Sequence, residues 1–363
     1  MAIALFGVLV IASCDRRPLE VMLDEKVKVN VRINWKVNFV EVYGNMPNGM
    51  TVMVWGSSDA VPKIQSTNSD NVTLYLTPDT YRMVIYSDTP EDYAYQSFFD
   101  YYSYDKLAMR SKHFKTKAWD DGVDYMFYPD EIGVALDTFL VTRDMVEKDT
   151  TLFVYYDDYK DHMEDIYQEH TYTYEIPEVA WPMTVNLEVK AKIKRRQSIK
   201  TIEANISGMA DGFYLSQIHR TKESGMLRLT NDNTYQWSIE PMGEEIDSMG
   251  YAKFTIPSFG LPYGKELVSL RDSTDNVLSF YITLKDGSVV QCSYNVGKDI
   301  KYVTPEGREA EIRYRQDLRN LSLEIDLSDV IILPPVPGGD TGTGFDAKVD
   351  EWEDGGTIEM GGF

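Results

Sequence analysis

Two stretches of this chain, Val27–Trp35 and Met183–Ile193, alternate apolar and polar residues with a period of two. Successive side chains point to opposite sides only in extended backbone, so each run buries one face and wets the other. Shorter runs rich in β-branched and aromatic residues recur at Phe39–Tyr43, Gly49–Trp55, Asn71–Leu76, Tyr81–Tyr86, Thr150–Tyr156, Thr171–Ile176, Ile199–Ser207, Tyr235–Glu240, Tyr251–Ile256, Val277–Leu284, Val289–Val296, Leu321–Leu327 and Val330–Leu333. No segment sustains a helical period beyond one turn expected at Thr142–Lys148, with Thr142 as its cap. The pattern predicts an all-β chain of two tandem antiparallel β-sandwiches.

Turn chemistry divides the runs. Asn45-Met46-Pro47-Asn48-Gly49 separates two of them, Thr77-Pro78-Asp79-Thr80 is expected to close a hairpin, and Lys285-Asp286-Gly287 reads as a tight one. Pro177 and Pro182 bracket Trp181 and mark a boundary, because the residue before proline is driven to extended backbone. The expected organisation is an N-terminal sandwich over 27–180, a C-terminal sandwich over 183–335 and a Gly/Asp-rich tail over 336–363. Both sandwiches open on a long amphipathic strand, which hints at two related modules. Lys190–Lys200 holds six basic residues, and Lys190, Lys192 and Lys194 share one face, read as a solvated face or a protected edge.

The N-terminus carries an address. Ala2–Ser13 is uncharged, and about twelve residues fall short of the roughly 18 that a membrane span needs. It reads as a signal-peptide core over 1–13. Ile11-Ala12-Ser13-Cys14 has the form of a lipobox, so Cys14 is expected to be lipidated and to become the first residue of the mature protein, with 14–26 as a tether. Acyl chains, at about 0.8 kcal/mol per buried methylene, hold a protein on a bilayer without a spanning helix. No basic residue precedes Arg16, which places the expected start codon upstream of Met1. Location follows as the outer membrane, lipid-anchored, at the cell surface.

A formal net charge of −22 argues against a nucleic-acid partner, since a phosphate backbone is held by clustered lysine and arginine. With Cys14 lipidated, Cys292 is the one remaining thiol, and its alternating surroundings make it a small core residue. Local motifs for zinc, for a serine nucleophile and for phosphate binding are missing, and His113, His162, His170 and His219 are scattered. The acidic run Asp157–Asp165 lacks the glycine of a calcium loop and reads as solvated. No cofactor and no enzyme activity are expected.

Two stretches invite binding. Tyr93–Tyr104 is dense in aromatics and reads first as a crossover packed on a sheet edge; the alternative makes Tyr93, Tyr95, Tyr101, Tyr102 and Tyr104 a stacking platform for a glycan, with Trp35, Trp55, Trp119, Trp181 and Trp237 as further ring faces. Trp35 and Trp237 lie in strand-like runs and are expected in the core. In the tail, Phe345, Val349 and Trp352 are spaced as a docking strand would space them, after a Gly338-Gly339 hinge. Docking is expected within the same chain, on a basic edge supplied by Lys190–Lys200, with docking in a neighbouring subunit as the other outcome.

Five segments in order carry a family resemblance: Cys14–Glu20 after the lipobox, Leu76–Tyr81, Ile206-Ser207-Gly208-Met209-Ala210, Leu284–Gly287 and the Trp352 tail. Together they resemble Bacteroidales lipoproteins of the fimbrillin-like group, and within it a family described as a domain of unknown function. The resemblance implies a pair of transthyretin-like sandwiches and a role in surface fimbriae, as lipid-linked anchor or accessory subunit with other fimbrial subunits as partners. The alternative role is an outer-surface glycan-binding lipoprotein. It implies no catalytic residues. Stalk subunits of such fimbriae are thought to be cut by an arginine-directed protease in a first-domain loop; Arg110 and Arg143 lie in candidate loops without a well-marked site, which favours an anchor over a polymerising stalk.

Overall fold

The computed structural model describes residues 26–36, 39–115, 123–145, 171–175, 180–229, 235–242, 249–310 and 321–335. Cys14, the tail from 336 onward, Thr150–Tyr156, Asp157–Asp165, Trp119, His162 and His170 lie outside them.

The first half contributes β1 (Val27–Arg32), a short helix α1 (Phe39–Tyr43), β2 (Met50–Trp55), β3 (Lys63–Thr67), β4 (Asn71–Leu76), β5 (Asp79–Ser87), β6 (Gln96–Phe99), β7 (Ala108–Ser111), β8 (His113–Lys115), β9 (Asp124–Met126), β10 (Gly133–Val141) and β11 (Thr171–Glu175). The second contributes β12 (Trp181–Pro182), β13 (Val185–Lys194), β14 (Ile199–Ala210), β15 (Gly212–Tyr214), β16 (His219–Arg220), β17 (Ser224–Leu229), β18 (Ser238–Pro241), β19 (Met249–Ser258), β20 (Val277–Leu284), β21 (Val289–Asn295), β22 (Lys301–Val303) and β23 (Ser322–Ile332). The fold is all-β, with antiparallel pairing dominant.

Sheet β11-β1-β4 faces sheet β12-β10-β5-β2-β3. Between them lie Val27, Val29 and Val31 of β1 with Val52, Met83 and Ile85, closed by Trp35 and Phe39. Sheet β18-β19-β13-β23-β22 faces sheet β21-β20-β14-β17-β9-β8 around Leu187, Val189, Ile206, Phe254, Phe280 and Ile325. The alternation in β1 and β13 is borne out residue by residue, with Val27, Val29, Val31 and Leu187, Val189, Ala191, Ile193 all buried. A pairing motif recurs as well. β1 lies between antiparallel β4 and parallel β11, and β13 lies between antiparallel β19 and parallel β23.

Three expectations are corrected. Phe39–Tyr43 is a helix, not a strand: Trp35, Phe39 and Tyr43 recur every fourth residue, and as a helical stripe their rings meet edge to face at 5.5 and 4.8 Å. Thr77–Thr80 closes no hairpin, because β4 pairs with β1 while β5 pairs with β2 and β10. The turn is an arch between facing sheets, fixed by Tyr81 Oη donating to the Thr77 carbonyl at 3.0 Å. It lets Val72, Leu74 and Leu76 look across the core at Tyr81, Met83 and Ile85. Leu321–Leu327 and Val330–Leu333 form one strand with a bulge, in which Leu327 pairs with Ala191 and Val330 with Lys192. Strands also cross between halves: β7 pairs with β15, and β9 runs parallel to β17. The Lys285–Gly287 hairpin stands as expected, with the Leu284 N–H on the Ser288 carbonyl at 2.8 Å and Gly287 at φ +87°.

The halves meet where the Met183 N–H donates to the Ile132 carbonyl at 2.9 Å and Tyr43 Oη lies 2.7 Å from Thr184 Oγ1. Strand directions then place the chain ends. β10 runs away from this joint, its far end Val141 pairs with Asp79, and Val27 pairs with Leu76 beside it. β13 also runs away from the joint, and β23 beside it ends with Ile332 opposite Lys194. The tether therefore enters at the end of the first sandwich remote from the joint, and the tail leaves at the end of the second remote from it.

Candidate functional site

The aromatic segment is divided rather than gathered. Tyr93 is buried; its hydroxyl donates to the Ser87 carbonyl at 2.5 Å, and the Ser87 hydroxyl accepts the Gly133 N–H at 3.0 Å. Burial raises the Tyr93 phenol well above its ordinary value. Tyr95 stacks on Phe127 with centroids 5.0 Å apart. Tyr101 lies against Phe98, and Tyr104 against Trp55, with the Arg82 guanidinium 4.2 Å above its ring. Tyr102 alone of the five is open, at 71% exposure. Trp35, Trp55 and Trp237 are buried in the cores. The segment is not a crossover laid on a sheet edge, since Gln96–Phe99 within it is the edge strand β6; Tyr93, Phe98 and Leu107 join Trp55, Tyr86, Met183, Phe213 and Phe259 in a third apolar cluster shared by both halves.

β7 seals that cluster from the side. It is hydrogen-bonded to β6 and to β15, so Arg110 sits mid-strand and not in a loop. Its guanidinium pairs with Asp211 at 3.2 Å and Glu223 at 3.7 Å. Asp211 is buried and also accepts from Thr221 Oγ1 at 2.5 Å, while Thr221 Oγ1 accepts the Gly212 N–H at 3.0 Å. A strand paired on both sides presents no extended segment to a protease, which removes Arg110 as a processing site. Sequence gave no signal for this network, because Arg110 lies 101 positions before the Asp211 it pairs with. Arg143 is exposed, in a turn where the Met145 N–H donates to the Thr142 carbonyl at 3.2 Å.

Near the joint lies a cleft of about 510 Å³ lined by Phe39, Asn45, Met46, Pro47, Asn48, Asp88 and Glu131. Burial raises Asp88 above the ordinary carboxylate range, against the Asn48 N–H it accepts at 2.6 Å and with help from Asp92 and Asp130. Burial likewise raises Asp130 and Glu131, the latter assisted by Asp88 and Asp130. Tyr43 beside them is pushed up to about 12 by burial. Such a cleft repels anions and disfavours the charged form of its carboxylates; among the described residues lining it there is no imidazole, thiol or hydroxyl nucleophile. Among the described residues no three His, Cys, Asp or Glu side chains meet as metal ligands. His113 pairs with Asp124 at 3.0 Å, and His219 lies against Tyr214 and Tyr263. Cys292 is a free, half-buried thiol on β21, raised by burial and so not activated.

The basic strand is not an edge. β13 is hydrogen-bonded to β19 on one side and β23 on the other, so its backbone has no room for a docking strand. Its lysines line an outer face, where Lys190 Nζ lies 4.4 Å above the Tyr251 ring. Among the described helices none is long and apolar enough to cross a membrane.

No family model matches the sequence. No curated protein matches it. Solved structures do. A candidate adhesin from Bacteroides ovatus superposes with a TM-score of 0.52 at 13% identity, over 86% of this chain and 94% of its own. A second candidate adhesin from Bacteroides ovatus gives 0.45 at 12% identity, over 86% and 90%. The fimbrial anchor protein of Porphyromonas gingivalis gives 0.38 at 14% identity, over 74% and 82%. Of these three, the first is close enough in shape to establish a shared fold.

Proposed function

We propose that this chain is a lipid-tethered envelope protein of the cell surface that serves as an anchor or accessory subunit of surface fimbriae. One combination carries the reading: an Ile11-Ala12-Ser13-Cys14 run sits ahead of a body whose fold is that of a candidate adhesin. The strand order supports it. A tether that enters at one end and a tail that leaves from the other suit a protein fixed to a membrane at its first sandwich, with its second directed away. Pairing of Arg110 within a sheet fits a subunit that is retained rather than processed there. The role is adhesive and structural, without catalysis.

Mass spectrometry of the mature N-terminus and fractionation of a Cys14→Ala variant test the tether. A diacylated or triacylated Cys14 and release of the variant from the membrane fraction are expected; an unmodified Cys14, or a variant still in the membrane, overturns it. Deleting the gene in the native host tests the assembly role. Fimbriae shed into the medium or altered in length are expected, and unchanged fimbriae with reproducible glycan binding by the soluble body replace this reading with a glycan-binding one.

A further inference from the structure

The outer face of β13 and β23 is unusual for a solvent-facing sheet. In register, Lys192 stands beside Val330 and Lys194 beside Ile332. On the other flank the same lysines stand beside Tyr251 and Met249. Val330 is 39% exposed and Ile332 is 64% exposed. Lys190, one pair further in, has Asp326 as its neighbour on β23. Lys192 and Lys194 have no such carboxylate beside them, and neither forms an ion pair among the described residues. The face thus offers apolar side chains interleaved with lysines that pair with no carboxylate among the described residues, in a protein of net charge −22.

The tail begins beside this face. The Leu333 N–H donates to the Lys194 carbonyl at 3.3 Å, and Arg195, at a left-handed φ of +64°, donates Nη1–H to the Leu333 carbonyl at 2.5 Å. From Val336 to Phe363 the sequence carries seven carboxylates and one lysine. Its bulky residues are set among those carboxylates: Phe345-Asp346, then Val349-Asp350-Glu351-Trp352-Glu353-Asp354. The nine residues between Pro335 and Phe345, rich in glycine, would span about 17 Å as a random coil, at roughly 5–6 Å times the square root of length. Adjacent strands lie only about 5 Å apart, so the face is within reach, and a short linker keeps the local concentration near the millimolar range.

We propose that residues 345–354 of this chain lie across the outer face of β13 and β23 in the same molecule. Val349 and Trp352 cover Val330 and Ile332, and the flanking carboxylates pair with Lys192 and Lys194. The contact is a side-chain latch on a sheet face, which needs no free backbone edge and no partner subunit. It holds the tail down until a competing surface with the same mix of apolar and basic groups releases it. This proposal does not rest on the fimbrial reading.

The test is fluorine NMR of the full soluble chain labelled with 5-fluorotryptophan, with the Trp352 line assigned by Trp352→Phe. At low salt the Trp352 line is expected well away from its position in denaturant. It should return to that position in a Lys192→Ser/Lys194→Ser variant, and separately in Ile332→Ser, while the remaining tryptophan lines stay put and certify the fold. Dilution should leave it unmoved. A Trp352 line at the denatured position in the native chain overturns the proposal. So does a displaced line that ignores both variants, or one that moves with dilution, which assigns the docking to a second copy.

Discussion

Gly208 offers the sharpest test of how the second sandwich closes. It lies in β14 where pairing with β17 slips between Ile206 and Met209, at φ +73°. A Cβ built there would stand 2.1 Å from the Asp275 carbonyl oxygen and 2.8 Å from Asn276 Nδ2. The approach is tight because Asn276 Nδ2 donates to the Ser207 carbonyl at 2.9 Å and the Val277 N–H donates to Ser207 Oγ at 3.0 Å, drawing the 275–277 backbone onto the bulge. In Gly208→Ala the left-handed backbone costs about 1–2 kcal/mol. Relieving the contact with a backbone oxygen must move Asp275 and Asn276. Loss of those two bonds, with the buried Asn276 amide left short of a partner, adds about 2–3 kcal/mol. The expected total is about 3–5 kcal/mol. Gly287→Ala is the control, since Gly287 has φ +87° but nothing within 4 Å of its Cβ position; it should lose only the backbone share, about 1–2 kcal/mol. Urea unfolding at 25 °C, followed by near-ultraviolet circular dichroism, measures both. Equal losses in the two variants would refute the steric account of the bulge.

Three further outcomes follow from the joint and its surroundings. Arg110→Ala should lower stability by about 1–2 kcal/mol, a value reduced for the partial exposure of the guanidinium, and should speed proteolysis between the halves; an unchanged urea midpoint would mean the network is idle. Asp88 is held above its ordinary value, so its charged form is disfavoured in the folded state: that loss is full above the folded value and disappears as pH falls to the unfolded value near 4. Asp88→Asn keeps an acceptor for the Asn48 N–H and suits the left-handed φ of +58°, so it should be more stable than the native chain at pH 7.5, with the gap closing toward pH 4. Cys292, half-buried and raised by burial, should react with a thiol reagent about tenfold or more slowly in the native protein than in denaturant; equal rates would expose it as a reactive site.

The sequence was most legible where periodicity alone decides the structure. Val27–Trp35 and Met183–Ile193 announce which side chains of β1 and β13 face inward, and the structure agrees at each alternate position from Val27 to Val31 and from Leu187 to Ile193. Phe39–Tyr43 was ambiguous because its valines and aromatics suit a strand while also continuing a four-residue stripe from Trp35; burial of Trp35 and Phe39 on one helical face decided for the stripe. What a period cannot carry is the identity of the neighbouring strand. An arch and a hairpin both read as strand, turn, strand, so nothing local distinguished them at Thr77–Thr80. The pairing of Arg110 with Gly212, or of Met226 with Tyr125, is likewise set by which apolar faces the assembled cores leave uncovered.

The tail surface shows the same limit at the scale of single residues. Ser328-Asp329 looks like a break between two strands, and as a break it says nothing about what stands beside Lys192. In the fold it is a bulge: two residues are passed over between Leu327 opposite Ala191 and Val330 opposite Lys192. Had the register continued unbroken from Leu327, Ser328 would stand beside Lys192 and Val330 beside Lys194, and Ile332 would pass beyond the end of β13. The bulge keeps the alternation, with Leu327 and Ile331 inward, and slides the outward Val330 and Ile332 two positions so that they stand beside Lys192 and Lys194. It thereby makes an apolar and basic face at the very point where the acidic tail departs. Removing Ser328 and Asp329, the two residues the register passes over, should therefore straighten β23 while leaving Val330 beside Lys192 and Ile332 beside Lys194. The Trp352 line should then stay away from its denatured position, and a reversion would show that the bulge itself, not the valine and isoleucine beside the lysines, holds the tail.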